Sequence, residues 1–528
     1  MDPQPNMFKI FERSMLLIFP IFFYLSVCLN INETAFTLNP SYFLVQSHKF
    51  PLPSVKPCRG KHTICPSEIS EYPLKMDMLE RSIKVNDNAL NTRTTNKMRF
   101  LKELEDSTSS SERPFTILVF GGSVTVGHKC QFPKGKQKKK TKKKNQLGLC
   151  AWPYMFVSHL RNLFPQTQFQ LIMEAVSATT SDYIVNRGQS VLTKISTTQK
   201  VDLVIIDYSA NDFNMIQALG DNRDGRDTYL TDLHANHERL VRAFLEYDPS
   251  MLIWYNEYFH FNPAEYEPNL YFPVCELYGI PLSSYSRAVS DYVEYDRRFM
   301  NSDIKGEHVH PAWYSHQLIA DMVAFNFMYF YFKTSQSSFK SPIDILPLPP
   351  PKFSNSTDDF CTETPYSLDA RDEMRKKQGS ASDDALASQI SLSSFPKEAW
   401  LLYEDRPGKP GWIFTAKKDS ANAVLTLDLQ CSMLPGILTV EYLKSYENMG
   451  RVKLSSSKGN FNFRLDGVHF RHNAVLNGMW DQQASQSQFS KISLAGFCPK
   501  KEETFKIKFS TTFMKKGFKF KLISFSLC

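Results

Sequence analysis

From Arg113 to about residue 335 short apolar runs alternate with longer stretches of helical periodicity. The runs are Phe115–Phe120, Phe169–Met173, Leu203–Asp207, Met251–Tyr255 and a weaker Ile280–Leu282. Strands separated by helix-length segments predict a parallel sheet with crossover helices. The stretch Ala312 to Phe332 is apolar and aromatic-rich, long enough to be weighed as a membrane span. His316, Gln317 and Asp321 would be costly in lipid, so it is read as the last helix packed on the sheet.

From Trp400 onward the pattern changes to short runs between turn residues: Trp412–Thr415, Val424–Leu429, Leu438–Leu443, Phe461–Leu465, Phe505–Ser510 and Phe518–Ser526. Closely spaced strands without intervening helices predict an antiparallel β-sandwich. Residues 336–398 are rich in Ser, Pro and charge, including Leu346-Pro347-Leu348-Pro349-Pro350-Pro351, which is linker composition. Residues 31–112 carry Pro40, Pro51, Pro53, Pro57 and Pro66, then a polar stretch ending in Ser107 to Ser111. They read as a stem. At 528 residues the chain is too long for one ordinary core. The expected order is an anchor or signal peptide over 1–30, the stem over 31–112, an α/β domain over 113–335, the linker over 336–398 and a β-sandwich over 399–528.

The N-terminus carries Lys9 and Arg13 and then an apolar stretch from Met15 to Leu29. A bilayer core asks for about 20 apolar residues, so this stretch is either a signal-peptide core or a short anchor. The absence of a small-x-small cleavage pattern and the bulky Phe-rich core favour an uncleaved anchor. Two glycosylation sequons, at Asn32 and Asn355, agree with entry into the secretory pathway. So do the ten cysteines. Cys28 lies inside the apolar stretch. The rest suggest local disulfides, Cys58 with Cys65, Cys130 with Cys150 and Cys431 with Cys498, as an oxidising lumen allows. If Cys361 pairs with Cys528, Cys275 is left as a thiol. The expected location is a single-pass membrane protein with its catalytic part in the lumen or outside the cell, or a secreted protein.

The net charge of +8 is concentrated. Lys134, Lys136, Lys138, Lys139, Lys140, Lys142, Lys143 and Lys144 form one run inside the presumed Cys130–Cys150 loop. Alone, such a run resembles a nuclear-localisation or nucleic-acid patch. Its place a few residues after Ser123 argues instead for an insertion at the mouth of a site. There it is either an inert solvated loop or an attractor of anionic polymers such as acidic or sulfated glycans. No nucleic-acid partner is expected.

The candidate chemistry sits at the ends of the runs. Phe115 to Phe120 breaks into Gly121-Gly122-Ser123, and Leu203 to Asp207 leads to Asn211. Downstream, Glu307-His308-Val309-His310-Pro311 offers a carboxylate three residues before a histidine. In open α/β sheets the site forms outside the carboxyl ends of the strands, where Ser123, Ala175 and Asn211 all fall. Serine needs a base to take its proton, and the oxyanion formed on attack needs fixed donors. These parts suit acyl transfer. Each also has a plainer use: Gly-Gly-Ser as a turn, Asn211-Asp212 as a helix cap, His310-Pro311 as a loop corner. A zinc site from Glu307, His308, His310 and His316 lacks the i, i+4 histidine pair of the usual zinc helix, and no metal or cofactor is expected.

The order of these parts resembles the SGNH (GDSL-type) hydrolase family. Gly121-Gly122-Ser123-Val124-Thr125 is similar to its first block, with glycine in place of the aspartate. Met173-Glu174-Ala175-Val176-Ser177 is the nearest match to its second block, with Ala175 at the glycine position. Ser209-Ala210-Asn211-Asp212 resembles the third, with serine for glycine, and Glu307 to Pro311 the last, with glutamate for aspartate. The resemblance implies a flavodoxin-like parallel sheet with flanking helices over this part of the chain. It also implies Ser123 as nucleophile, His310 as base, Glu307 as its support, and an oxyanion hole from the N–H groups of Ser123 and Ala175 and the side chain of Asn211. The implied activity is an esterase working through an acyl-serine on an O-acylated glycan, acetylated for instance, or another ester. A glycan O-acyltransferase using the same site, and a non-catalytic glycan-binding protein with a degenerate site, are the alternatives. In the sandwich, Trp412, Tyr442, Tyr446 and Trp480 are read either as sugar-stacking or as core residues.

Overall fold

The protein is described by a computed structural model. Its described residues are 74, 76–84, 113–128, 130, 150–220, 222–258, 270–289, 310–311, 313–335, 347–353, 366–377, 390–406, 409–416, 423–430, 437–445, 448–456, 463–465, 468–470, 474–479, 485–493, 504–511 and 518–527. The apolar stretch 15–29, Asn32, Asn355, Glu307, the Lys134–Lys144 run, Tyr446, Trp480 and Cys58, Cys65, Cys361, Cys431, Cys498 and Cys528 lie outside them.

The first part of the chain runs α1 (Met76–Ser82), β1 (Ile83–Lys84), β2 (Phe115–Gly121), α2 (Ser123–Val126), α3 (Trp152–Leu163), β3 (Phe169–Ala175), α4 (Asp182–Ser196), β4 (Leu203–Asp207) and α5 (Ser209–Ala218). It continues with α6 (Arg223–Tyr247), β5 (Leu252–Glu257), α7 (Phe272–Tyr278), β6 (Leu282–Ser284), α8 (Tyr285–Val289) and α9 (Trp313–Ser335). The strands form one sheet in the order β1-β6-β5-β4-β2-β3, parallel from β6 to β3. Strands β2, β4 and β5 are buried at every position, which is why they read as unbroken apolar runs. The chain leaves β2 for β3 on one side and then crosses to β4 on the other. A crevice therefore opens at the carboxyl end of β2, where the strand order reverses.

Helix α9 packs against α3 and α1, burying Met322, Val323, Phe327 and Phe330. Phe330 meets Trp254 of β5 edge-on at 5.8 Å. It is the core helix expected. Among the described residues no helix is long and apolar enough to cross a membrane. The stretch read as a stem contributes more than that. Met78 and Leu79 of α1 are buried, Ser82 Oγ donates to Asn326 Oδ1 of α9 at 3.0 Å, and β1 adds an antiparallel edge to β6. With so few residues this element shows no periodicity of its own.

The second part contains β7 (Tyr366–Asp369), α10 (Ala370–Lys377), β8 (Ile390–Phe395), β9 (Trp400–Arg406), β10 (Lys409–Thr415), β11 (Val424–Gln430), β12 (Ile437–Ser445) and β13 (Arg451–Ser456). It ends with β14 (Phe463–Leu465), β15 (Val468–Phe470), β16 (Ala474–Asn477), β17 (Ser485–Ser493), β18 (Thr504–Ser510) and β19 (Lys519–Leu527). Two antiparallel sheets result, β15-β14-β17-β12-β19-β10-β9 with β7 beside β19, and β16-β13-β18-β11-β8. Leu425, Leu427 and Leu429 of β11 and Phe505, Ile507 and Phe509 of β18 enter a common core, while Lys506 and Lys508 stay exposed. This is the period-two pattern of a sheet with one wet face. Strands β7 and β8 and helix α10 come from the stretch read as linker. Their Ser-rich and charged sequence hides a short apolar alternation that only its neighbours complete. Trp412 and Tyr442 belong to the core, against Phe525 at 5.7 Å and Phe520 at 5.6 Å, and are not free to stack on a sugar.

Candidate active site

Ser123 heads α2 directly after β2 and is half-buried. The backbone before it is anchored to the neighbouring strand, since Gly122 N–H donates to the Asp207 carbonyl at 3.3 Å. A Cβ on Gly121 would collide with the Thr125 side chain and lie 2.8 Å from the Asp207 carbonyl. Glycine is therefore required for this close approach. Below the turn, the Asp207 carboxylate accepts from Thr125 Oγ1 at 2.7 Å and Trp152 Nε1 at 2.9 Å. Burial pushes its pKa up to about 7 against those hydrogen bonds. Trp152 follows closely on Cys150, which forms the expected disulfide with Cys130. Cys275 is buried as a thiol.

Asn211 lies in the first turn of α5, after β4. Its Nδ2 donates to the Thr179 carbonyl at 2.5 Å and lies 2.8 Å from where a Cβ on Gly122 would be. The amide thus fills the space that a side chain at position 122 would need, which accounts physically for glycine there. Ser209 also has a use: its buried Oγ donates to the Tyr258 carbonyl at 2.9 Å and accepts from Tyr258 N–H at 2.8 Å. It ties the start of α5 to the end of β5.

Ala175 is the last residue of β3, paired in register with Gly121. Beyond it the chain turns through Ala178, whose φ of 67° is unusual for a residue with a Cβ. Thr179, the acceptor of Asn211, comes next. Ser181 N–H donates to Asp212 Oδ1 at 2.9 Å, and Tyr271 Oη to Asp212 Oδ2 at 2.5 Å. Asp212 is fully buried, which raises its pKa to about 7. The loop 176–181 therefore faces both Asn211 and the turn before Ser123. Sequence reasoning stopped short of it at Ala175. The available signal was the run of small residues Ser177-Ala178-Thr179-Thr180-Ser181.

His310 is half-buried, its ring 4.6 Å from that of His128. His128 N–H in turn donates to the Ser123 carbonyl at 2.9 Å. His310 thus packs on the turn that closes α2. His316 is a packing residue, buried with its Nδ1 accepting from Trp152 N–H at 3.4 Å. Burial and the nearby His310 lower its pKa to about 3. Among the described residues no group of histidine, cysteine and carboxylate side chains has the geometry of a metal site. The structure thus places a hydroxyl and an amide at the start of α2 and packs an imidazole on the turn that closes this short helix, groups of the kind that acyl transfer uses.

No protein-family model matches the sequence, and no curated protein is significantly similar to it. Solved structures do match. A two-domain esterase active on acetylated mannans, co-crystallised with mannopentaose, is 18% identical, with 85% of this chain and 98% of that one covered and a TM-score of 0.50. Axe2, an acetylxylan esterase from Geobacillus stearothermophilus, is 18% identical over 41% of this chain and 94% of its own, with a TM-score of 0.25. The chain has the fold of the two-domain esterase: an α/β domain built on a parallel sheet, followed by antiparallel β-sheets.

Proposed function

We propose that the protein is an SGNH-type serine esterase that removes acyl groups, acetyl in particular, from a polysaccharide. The observation that carries this reading is the position of Asn211 Nδ2 against the backbone that leads into Ser123, at the crevice where the strand order reverses. The substrate class follows the two-domain fold, whose mannan esterase acts on acetylated glycans.

In this reading Ser123 Oγ attacks the ester carbonyl while His310 takes its proton. The oxyanion is met by Ser123 N–H, by the Asn211 amide and by the loop 176–181. Asn211 carries two hydrogens on Nδ2, so one stays available while the other holds Thr179. His310 then protonates the departing sugar oxygen, and water repeats the sequence on the acyl-serine. Glu307 is assigned the support of the imidazolium. The second backbone donor is assigned to the loop carrying Ala178, since that loop, beyond Ala175, meets Asn211.

We read the protein as working in the secretory pathway, held by residues 15–29 or released from it. The Cys130–Cys150 disulfide and the two sequons support an oxidising compartment.

Incubation of the purified protein with p-nitrophenyl acetate and with acetylated mannan tests the activity. Wild type should release nitrophenol and acetate, and Ser123→Ala should abolish both with an unchanged circular dichroism spectrum. Equal turnover by Ser123→Ala would remove the serine mechanism.

A further inference from the structure

The site's loop 176–181 is held from outside its own domain. Ser487 of β17, in the β-sandwich, donates its backbone N–H to the Ala178 carbonyl at 2.7 Å. Strand β14 pairs with β17 only at Ile492 and Ser493, so no described strand lies beside the edge at Ser487. That edge is used against the α/β domain instead. Two residues on, Phe489 is buried within the α/β core, in the cluster that holds Tyr183, Tyr208 and Phe213. A second attachment grips the helix that follows the loop. Arg187 of α4 pairs with the buried Asp369 of β7. Asp369 also binds Arg371, which reaches Glu441 of β12 at 3.0 Å. The Arg371 guanidinium lies 4.9 Å from the centre of the Tyr183 ring in the first turn of α4.

We propose that the C-terminal domain is a working part of the esterase site, with Ser487 and Phe489 as positioning residues that clamp loop 176–181. The inference rests on the esterase reading. Ala178 has a left-handed backbone that alanine disfavours and glycine accepts. Without a clamp, this residue relaxes toward the ordinary regions and rotates the peptide that follows. The next carbonyl, Thr179, is the one that Asn211 holds. A hydrogen bond from the sandwich to one carbonyl therefore fixes the neighbour against which the oxyanion donor is oriented. The clamp acts on the transition state more than on substrate binding, because the amide matters most once charge develops.

The test uses the full chain with p-nitrophenyl acetate, reading kcat, KM and melting temperature. Ser487→Pro removes the donor, Phe489→Ala removes the apolar anchor, and Asp405→Asn is a control. Asp405 accepts from Lys519 and Lys521 within the sandwich, so its loss weakens the domain without touching the loop. Both clamp variants should lose about 10- to 100-fold in kcat, with KM changed by less than about threefold. Asp405→Asn should lower the melting temperature and leave kcat unchanged. Ala178→Gly should shrink the loss caused by Phe489→Ala, since glycine holds the positive φ without help. If Ser487→Pro is not recovered folded, Phe489→Leu decides by the same criteria. Clamp variants that melt earlier yet keep wild-type kcat would overturn the proposal while leaving the esterase intact. A wild type that neither turns over ester nor is labelled by a fluorophosphonate would overturn the esterase reading, and this inference with it.

Discussion

The turn after β2 and the loop after β3 flank the same crevice, yet they are held by different means. The first is braced from inside the α/β domain. Gly122 N–H is tied to β4, the Asp207 carboxylate receives Thr125 and Trp152 beneath it, and the Cys130–Cys150 bond pins the chain leading into α3. The loop 176–181 is tied to β2 only at its start, where Val176 N–H donates to the Gly121 carbonyl at 2.9 Å. Beyond that point the Thr179 carbonyl and Ser181 N–H are taken by α5, through Asn211 and Asp212, and the Ala178 carbonyl by Ser487 of the other domain. A serine attached to a central strand inherits that strand's rigidity. A loop on the edge strand β3 must borrow rigidity from whatever packs beside it.

The comparison is broken most severely by Asn211→Ala. This substitution removes the proposed oxyanion donor and leaves the Thr179 carbonyl without its amide. It should lower kcat by about 10²–10³-fold, with KM much less affected, as expected of an interaction that strengthens in the transition state. Stability should fall by only about 1 kcal/mol, since Asn211 is part-buried and water can replace it. Steady-state kinetics beside thermal unfolding checks both. An unchanged kcat would mean that the amide is only a brace for the loop.

What the sequence made legible divides along the same line. The central strands were readable because burial on both faces leaves an unbroken apolar run, and Leu203–Asp207 emerges with the bounds expected. Ser123 and Asn211 followed from their places at strand ends. The loop carrying Ala178 was not readable, because its conformation comes from contacts with residues 211, 212 and 487, distant in sequence. The same holds for Ser487 and Phe489, which nothing in a Ser- and Gln-rich stretch marks as touching another domain. Strands β7 and β8 were missed for the related reason that a short edge element gains its stability from neighbours. Where local pattern and tertiary contact point the same way, the sequence is enough. Where the contact alone decides, it is not.

The internal brace of the β2 turn is tested next by opening the Cys130–Cys150 bond. Cys130→Ser paired with Cys150→Ser frees a loop of 20 residues in sequence separation. Closure of a loop of this length stabilises by about 3 kcal/mol, and denaturant unfolding should register a loss of that order. Because Gly122 stays hydrogen-bonded to β4, kcat should drop by less than about tenfold, well short of the effect of Asn211→Ala. A collapse of activity without loss of stability would show that the disulfide aligns Ser123 directly, and the brace would then extend beyond the strand.

The smallest expected effect is one of pH, and it sharpens the contrast by asking what the Asp207 carboxyl contributes. Its folded pKa is raised to about 7 from an ordinary value of 3.8, chiefly by burial. The folded protein thus binds the proton more tightly than the unfolded chain does. The stabilisation linked to that proton is fully present below about pH 4, declines as pH rises between about 4 and 7, and is gone above the folded pKa. Asp212 behaves alike, so the wild type carries two such contributions. Asp207→Asn keeps an oxygen to receive Thr125 and Trp152 and cannot ionise. The variant should therefore lose less stability than wild type between pH 4 and pH 7, by equilibrium unfolding at several pH values. Its amide also resembles the protonated acid, so kcat near pH 6 should stay within a few-fold of wild type. A steeper decline with pH in Asp207→Asn would mean that Asp207 is ionised in the fold across this range and that its charge, not its shape, braces the turn before Ser123.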